Sequence, residues 1–239
     1  MYLFFEPREH FLAVLPKDGI AAEIGVAVGD FSAAILKFAE PQKLHLIDPW
    51  EYQDRADYHQ DPNNITQSLA DQRFAAVENR FGGEVASGKV EIHRAYSTEV
   101  ACDFEDGYFD WLYLDAMHTF DAAIADLEAF WPKLKPDGFL LGHDYANHEE
   151  AEKMDFGVVE AVNKFVDRTG CDFTALNIDA YPTYILSKDV NSARYRAFLA
   201  NATRHLNLVA EVKDVTKKTY SQTVARCSDG FVRVFPLFE

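Results

Sequence analysis

Cysteine is scarce in this chain of 239 residues. The three cysteines, Cys102, Cys171 and Cys227, are odd in number and widely spaced, so they match neither a disulfide framework nor a zinc-knuckle spacing. Internal repeats, low-complexity stretches and Gly/Ser linkers are absent as well, which argues against a repeat architecture. We therefore expect reduced thiols inside one ordinary globular core.

Basic residues are also in deficit, because 23 Lys and Arg stand against 39 Asp and Glu, for a formal net charge of −16. Such a field repels phosphate backbones and anionic membrane surfaces, so we expect neither a nucleic acid nor a membrane as partner. No apolar run approaches the length that spans a bilayer. The first residues lack a basic leader followed by an apolar run, which favours a cytoplasmic protein.

The sequence does contain short apolar runs that alternate with segments of helical period, a pattern typical of βαβ units on a parallel sheet. The predicted parallel strands are Ile20–Ile24, Lys43–Ile47, Lys89–His93, Phe109–Leu114 and Gly138–Gly142. Apolar stripes predict helices near residues 31–38, 65–81, 119–134 and 158–166. The runs Phe173–Ile178 and Thr183–Leu186 predict an antiparallel hairpin.

The predicted fold class is therefore α/β, a doubly wound, Rossmann-like sheet that is mostly parallel and ends in an antiparallel hairpin, with helices on both faces. We expect residues 1–190 to form the main domain, with an N-terminal helix over 1–18 and a lid insertion over 51–83. Residues 191–239 are expected to form an appendage of a helix and short strands, packed on the same domain. In this architecture ligands bind beyond the carboxyl ends of the strands.

A glycine turn follows the first predicted strand and leads directly into a helix. The run is Glu23-Ile-Gly25-Val26-Ala-Val-Gly29-Asp-Phe31-Ser32, in which two glycines allow a ligand to approach the backbone. The dinucleotide-binding fingerprint requires Gly at position 27 and Gly or Ala at position 30, where this chain has Ala27 and Asp30. This departure disfavours NAD and FAD, and an acid at the helix start favours a cationic ligand over a pyrophosphate.

A carboxylate lies at the tip of the second predicted strand, where Asp48 follows Ile47 and precedes Pro49 and Trp50. A carboxylate in this place accepts both hydroxyl hydrogens of a ribose. The glycine turn and Asp48, on adjacent strand tips, together predict a nucleoside site. The alternative, an ordinary turn beside a solvated acid, also fits the sequence.

The run over residues 23–32 resembles motif I of class I S-adenosylmethionine-dependent methyltransferases. Further segments are similar to the branch that contains small-molecule and sugar O-methyltransferases, the methyltransferase family 24-like proteins. These segments are Asp115-Ala-Met-His118-Thr-Phe, Asp126-Leu127, Leu134-Lys-Pro-Asp-Gly138 and Gly142-His143-Asp144-Tyr145. The resemblance covers roughly residues 20–188 and implies S-adenosylmethionine as cofactor.

The resemblance also implies roles for particular residues. Glu23 would order the amino-acid end of the cofactor and Asp48 would hold its ribose, while Ser97 would lie near the adenine. Tyr96 stands where the family often has an acid, and Trp50 and Tyr96 could stack on the adenine. The remaining implied cofactor contacts are Gly25, Val26, Gly29, Phe31, Ser32 and Asp115.

Acids and histidines follow the fourth and fifth predicted strands. Metal-dependent relatives carry acids at these places, so Asp115, Asp144 and His143 form a candidate site for Mg²⁺ or another divalent cation. Methyl transfer to a hydroxyl also requires removal of a proton, and His118 is the predicted base because an ordinary histidine pKa lies near neutrality. Asp144 and His143 complete the predicted catalytic group.

The predicted function is therefore methyl transfer from S-adenosylmethionine to a small-molecule or sugar acceptor, at a hydroxyl. A homodimer is expected from its frequency among soluble proteins alone. Two alternatives stay open at this point. One is a metal-assisted hydrolase or hydroxylase that uses Asp115, Asp144 and the nearby histidines on the same fold, and the other is a catalytically degenerate binding module.

Overall fold

A nine-stranded mixed sheet forms the centre of the computed structural model, which describes residues 1–55, 61, 63–228, 230 and 232–239. Its strands in chain order are β1 (Tyr2–Phe4), β2 (Ile20–Ile24), β3 (Lys43–Ile47), β4 (Val90–His93), β5 (Phe109–Leu114), β6 (Leu134–Gly142), β7 (Asp172–Asn177), β8 (Tyr184–Ser187) and β9 (Leu208–Glu211). The spatial order is β4-β3-β2-β5-β6-β8-β7-β1-β9. Two later strands, β10 (Tyr220–Arg226) and β11 (Val232–Phe238), form a separate antiparallel hairpin.

The strand order reverses between β2 and β5. From β2 the chain proceeds outward through β3 and β4, and it then returns to β5 and continues through β6 on the other side. All these neighbours are parallel, so their carboxyl ends share one edge of the sheet. In open α/β sheets the point of reversal leaves a crevice outside the strand ends, and that crevice is where ligands bind.

The predicted strands Ile20–Ile24, Lys43–Ile47 and Phe109–Leu114 are confirmed to the residue. The prediction of a strand from Gly138 was too short, because β6 begins at Leu134. Pro136 lacks the N–H that a central strand donates, and so argued against a strand there. A register shift in the pairing with β5 accommodates the proline segment.

The predicted α/β sheet, mostly parallel with an antiparallel hairpin and helices on both faces, is confirmed, but two more strands lie beyond the hairpin. The hairpin exists as β7 and β8, but β1 pairs in parallel with β7, and β9 pairs antiparallel with β1 beyond it. The helix predicted over 1–18 is accordingly a strand, Tyr2–Phe4, followed by the helix α1, Arg8–Val14. A three-residue apolar run carries too little periodicity to identify a strand that only a distant partner stabilises.

The other helices are α2 (Asp30–Ala34), α3 (Gln67–Arg80), α4 (Gly82–Ala86), α5 (Ser97–Val100), α6 (Phe120–Phe130), α7 (Glu149–Lys153), α8 (Val158–Thr169) and α9 (Ala193–His205). A π-helical segment, Ile35–Ala39, continues α2. The helix predicted to reach residue 134 ends at Phe130, because Pro132 has no N–H to continue the ladder. Among the described residues, no helix has both the length and the apolar character needed to cross a bilayer.

Apolar side chains cover both faces of the central strands. On β5, Trp111 and Tyr113 pack into one cluster with α1 and α9, and Leu112 and Leu114 pack into the other with α6 and α8. Side chains alternate between the two faces of a strand, so a strand that is buried on both faces carries apolar side chains on both. Both faces of the central strands are thus covered, and the ligand crevice is expected among the loops at the carboxyl edge of the sheet.

Candidate functional site

The crevice at the strand reversal begins where β2 meets its two neighbours. The N–H of Gly25 donates to Ile47 O at 2.9 Å, and the N–H of Asp115 donates to Ile24 O at 2.7 Å. Gly25 has a φ of +87°, and a Cβ at this position would lie 1.9 Å from the carbonyl oxygen of Asp115. Only glycine fits here, because any side chain would be strained and would also collide with the neighbouring backbone.

Two adjoining cavities open from this point. The first, the Asp48 cavity, has a volume of about 370 Å³, and its wall includes Asp48, Trp50, Tyr96, Ser97 and Asp126. The second, the Arg8 cavity, has a volume of about 430 Å³, and its wall includes Arg8, Glu23, Phe31, His118 and Asp144. Both cavities share the residues Gly25, Ala27, Asn63 and Asp115. A ligand that fills both must therefore pass Gly25 and Asp115.

The carboxylate of Asp48 holds the glycine turn in place. Its Oδ2 accepts the backbone N–H groups of Val26 and Ala27 at 2.9 and 3.0 Å, and its Oδ1 accepts that of Trp50 at 2.7 Å. A carboxylate offers about four acceptor positions, so one is left for a ligand in this arrangement. The structure gives Asp48 a role in shaping the turn that the sequence did not reveal.

The two aromatic residues predicted near an adenine both line the Asp48 cavity. Trp50 is buried, donates from Nε1 to Ala27 O at 2.8 Å, and packs against Phe74 with ring centres 5.1 Å apart. Tyr96 is half-buried and directly precedes α5. Trp50 is thus fixed by its own contacts, and the Tyr96 hydroxyl is paired with the Glu51 carboxylate.

A buried acid that the sequence did not single out as a ligand contact, Asp126, lies in the same cavity. Ser97 Oγ donates to Asp126 Oδ1 at 2.5 Å, and burial raises the pKa of Asp126 to about 6 even though this bond lowers it. Asp126 lies on α6 next to the small residues Ala122 and Ala125, which line the cavity beside it. The sequence carried two signals for this residue, the small-residue face of α6 and the Asp126-Leu127 segment of the family resemblance.

Glu23 is buried at the floor of the Arg8 cavity. Ser32 Oγ donates to its carboxylate, yet burial prevails and raises the pKa of Glu23 well above its ordinary value. Val26 and Phe31 line the same cavity. Gly29 and Ser32, two other predicted cofactor contacts, line neither cavity. Gly29 instead packs so close to Phe81 that a Cβ would lie 2.7 Å from its ring.

Arg8 is a site residue that the sequence did not indicate. Its Nη1 donates to Asp115 Oδ2 at 2.7 Å and to Tyr113 Oη at 3.3 Å, and its guanidinium carbon lies 4.4 Å from the centre of the Phe31 ring. Burial opposes the charge, but the contacts with Tyr113 and Asp115 hold the pKa of Arg8 above its ordinary value. Arg8 lies 107 positions from Asp115, so no local motif connects them.

The predicted catalytic residues are brought together beside this pair. His118 Nδ1 lies 2.9 Å from Asp144 Oδ2, and its Nε2 lies 3.3 Å from Asp61 Oδ2. His143 Nδ1 lies 3.0 Å from Asp144 Oδ1 and 3.6 Å from Asp115 Oδ1.

The carboxylates change the charge of both histidines. Burial disfavours the imidazolium, but the bonds of His118 to Asp144 and Asp61 prevail and raise its pKa to about 10. Asp115 and Asp144 likewise raise the pKa of His143 to about 9. Burial opposes ionisation of Asp144, yet these two histidines hold its pKa below the ordinary range. The premise that His118 has an ordinary, near-neutral pKa is therefore wrong for this arrangement.

The predicted metal ligands Asp115, His143 and Asp144 have their ligand atoms within 4.8 Å of one another. Their charges, however, are already balanced, since the acids Asp61, Asp115 and Asp144 contact the cations Arg8, His118 and His143. Mg²⁺ prefers oxygen ligands in octahedral geometry, and here it would meet a protonated imidazole and a guanidinium. The residues in this arrangement therefore do not fit Mg²⁺.

Comparison with known proteins adds the family. A family model described as a methyltransferase domain matches residues 22–145, just over half of the chain. Among curated proteins, none matches the sequence at a significant level.

The solved structures with similar folds share little sequence. A SAM-dependent methyltransferase from Aquifex aeolicus is 11% identical over 78% of this chain and 91% of its own, with a TM-score of 0.53. An O-methyltransferase family protein from Burkholderia thailandensis is 13% identical over 76% of this chain and 53% of its own, with a TM-score of 0.51. A tRNA methyltransferase from B. subtilis is 14% identical over 77% of this chain and 67% of its own, also with a TM-score of 0.51.

Proposed function

The chain belongs to the class I S-adenosylmethionine-dependent methyltransferases, and on that basis we propose that it methylates a hydroxyl group of a small-molecule or sugar acceptor. Membership in the family makes S-adenosylmethionine the cofactor. The contact between His118 and Asp144 supports this proposal most directly. Both residues line the Arg8 cavity, which adjoins the Asp48 cavity.

The cofactor is expected to occupy both cavities and to pass Gly25, which the two cavities share. The Asp48 cavity offers a strand-tip carboxylate and two aromatic side chains, which suit a ribose and an adenine. On the other side of Gly25 and Asp115, the Arg8 cavity contains Glu23, which suits an amino-acid group. We therefore place the nucleoside in the Asp48 cavity and the amino-acid end beside Glu23, with the sulfur near the shared residues.

The rest of the Arg8 cavity is the proposed acceptor site. The whole Arg8 cavity has a volume of about 430 Å³, and on the side away from Glu23 its wall combines Phe156 and Tyr181 with the charged cluster. Apolar and aromatic walls with a few polar groups are typical of small-molecule sites. The net charge of −16 disfavours a nucleic acid as the acceptor, since the chain would repel its phosphates.

S-adenosylmethionine, when bound, supplies an electrophilic methyl carbon on a positively charged sulfur. The chain's own residues must remove the acceptor's proton. Asp144 Oδ2 holds Nδ1 of His118, which directs Nε2 of the same ring toward Asp61 and the cavity. An acceptor hydroxyl that takes the place of Asp61 at Nε2 leaves one carboxylate on the imidazole instead of two, which lowers its pKa. The Nε2 proton of His118 then passes to solvent water, and the neutral Nε2 accepts the proton of the hydroxyl while Asp144 keeps the ring oriented.

The acceptor class is tested by matched pairs of small molecules that differ only in a hydroxyl or an amine, with folded transfer RNA as a third substrate. We expect label from methyl-labelled S-adenosylmethionine to appear in methyl ethers. Methylation confined to amines or to RNA would overturn the acceptor proposal and leave the family assignment untouched.

The role of His118 is tested by His118→Ala, with His205→Ala as the matched control on an exposed helix end. Loss of a general base costs about 10²–10⁴-fold in turnover, so we expect a loss of this size in the first variant alone. The affinity for S-adenosylhomocysteine should be nearly the same in both variants. Equal turnover in both would refute the assignment.

A further inference from the structure

A second group of metal-ligating side chains lies away from the Arg8 cavity, on β3 and β4. In the parallel pairing His45 is opposite Glu91, and Ile47 is opposite His93. Because side chains alternate along a strand, Glu91 and His93 point to the same face, and His45 shares it. The register thus brings two imidazoles and a carboxylate together, and their ligand atoms lie within 4.8 Å of one another.

The distances are those of a site with room for one ion. His45 Nδ1 lies 2.9 Å from His93 Nε2 and 3.9 Å from Glu91 Oε2, and His93 Nε2 lies 3.7 Å from Glu91 Oε1. Ligands bound tetrahedrally to Zn²⁺ at 2.0–2.1 Å are about 3.3 Å apart. The two contacts of His93 Nε2 must each change by only about 0.4 Å to reach that spacing, and the Glu91 carboxylate must turn to bring Oε1 toward His45.

The spacing of the facing imidazole nitrogens limits how many protons the pair carries. At 2.9 Å they cannot both carry a proton, because two N–H donors would then oppose each other. At least one nitrogen therefore presents a lone pair, and an ion between the rings would use the lone pairs of both. A single hydrogen bond between the two rings is the competing arrangement, and the experiment below separates the two.

The surroundings resemble the outer shell of a metal site. His45 is buried, and its other nitrogen, Nε2, lies 3.2 Å from Tyr108 Oη, a contact that fixes the ring. Metal-ligating histidines commonly use their second nitrogen in this way. The rings of Phe104, Tyr108 and Phe109 lie within 5.6 Å of the His45 ring and exclude water from one side. Lys43 Nζ contacts Glu91 Oε2 at 2.6 Å, which leaves Oε1 for an ion.

We propose that His45, Glu91 and His93 bind a late first-row divalent cation, with Zn²⁺ as the representative ion and water as the fourth ligand. Imidazole nitrogen favours Zn²⁺, Ni²⁺ and Cu²⁺ over Mg²⁺ or Ca²⁺. The ion would join β3 to β4 at the ends that lead into the Asp48 cavity. The N–H of Asp48 donates to His93 O at 3.2 Å, so the site lies directly below the proposed cofactor pocket.

The test uses the full chain, stripped with a chelator and then titrated with Co²⁺, whose tetrahedral complexes absorb visible light. We expect one Co²⁺ per chain, a tetrahedral spectrum, and displacement by Zn²⁺ with a rise in Tm. His93→Gln is the main variant, because its ring is partly exposed and its loss should not prevent folding. Changes to outer-shell residues already cost about 10–100-fold in affinity, so we expect at least about 100-fold weaker binding when a ligand is removed.

Asp115→Asn is the matched control, because it removes a carboxylate from the other candidate group and leaves His45, Glu91 and His93 intact. We expect it to keep the Co²⁺ spectrum. Glu91→Gln, at an exposed position, should weaken binding as His93→Gln does, and circular dichroism verifies that each variant is folded. No tetrahedral spectrum in the wild type would overturn the proposal. So would a spectrum that survives His93→Gln and disappears in Asp115→Asn.

Discussion

Two pairs of histidines, one in the loops after β5 and β6 and the other on β3 and β4, have opposite charge preferences, although all four rings are largely buried. In the crevice, the pKa of His118 is raised to about 10 and that of His143 to about 9. On β3 and β4, burial lowers the pKa of His45 to about 4 and lowers that of His93 as well. Burial alone therefore does not determine the charge of a histidine in this protein.

The difference lies in what each ring contacts. The crevice pair contacts Asp61, Asp115 and Asp144, all of which favour the imidazolium. The strand pair contacts itself, an aromatic wall and Glu91, whose charge Lys43 already offsets. The two pairs therefore suit different chemistry, since a charged ring donates hydrogen bonds and a neutral one offers a lone pair.

Asp144→Asn is the substitution expected to reduce most strongly the difference in pKa between the two pairs of histidines. Asp144 has a φ of +62°, which Asn also tolerates, so the backbone should be retained. Without the carboxylate, the pKa of both crevice histidines should fall toward that of the strand pair, and turnover should drop by about 10²–10⁴-fold as the proposed base loses its orientation.

Histidine ring resonances followed by NMR across a pH titration measure the first effect, and initial rates measure the second. Asp106→Asn, at an exposed acid away from the crevice, serves as the control. Crevice histidines that keep their raised pKa in Asp144→Asn would show that another group carries the effect.

Gly25→Ala should produce the next largest effect, and only in the crevice. Its Cβ would lie 1.9 Å from the carbonyl oxygen of Asp115, at a φ of +87°. We expect a loss of about 1–3 kcal/mol in the free energy of unfolding from the strained backbone. We also expect S-adenosylhomocysteine to stop raising Tm. Gly83→Ala, where a Cβ meets no atom within 4 Å, is the matched control and should behave as wild type. Intact cofactor binding in Gly25→Ala would contradict the proposed path past this residue.

The two pairs should also limit stability at opposite ends of the pH scale. In the folded protein the pKa of His45 is below the value of about 6.5 for a histidine in an unfolded chain. Below about pH 6.5 the unfolded state therefore binds more protons than the folded state. The free energy of unfolding then falls as the pH falls from about 6.5 to 4. Between about pH 7 and pH 5 this amounts to about 1–2 kcal/mol. The folded pKa of His118 is raised, so its contribution is present below about pH 6.5 and is lost as pH rises toward 10.

Urea denaturation with a chelator present, repeated from acid to alkaline pH, measures both slopes. His45→Gln should flatten the acid side and His118→Gln the alkaline side. A single variant that flattens both sides would show that the two pairs are not independent.

Local pattern was enough to predict the central strands and the glycine turn, because each depends on consecutive residues. Asp48, Asp115 and Asp144 were identified for the same reason, since each lies within two residues of the end of a predicted strand. Arg8 could not be found, because its partner is 107 positions away and only the pairing of β1 with β7 brings α1 to the crevice. The charge of His118 was misjudged, because it depends on contacts with Asp61 and Asp144 that spacing does not determine.

The smallest effect is expected at the surface of the strand pair, where Lys43 contacts Glu91 at 2.6 Å. Lys43→Met removes the lysine charge but keeps much of the side chain. Because the Glu91 side chain is 48% exposed, solvent screens the contact, and exposed ion pairs contribute only about 0–1 kcal/mol. We therefore expect a change within this range by urea denaturation at neutral pH, smaller at high salt, and a rise in the pKa of Glu91, which the Lys43 bond now holds down. A larger loss in the free energy of unfolding would mean that Lys43 keeps His45 and His93 neutral as strongly as Asp144 keeps His118 and His143 charged. The two regions would then shift their histidine pKa values in opposite directions with similar energies.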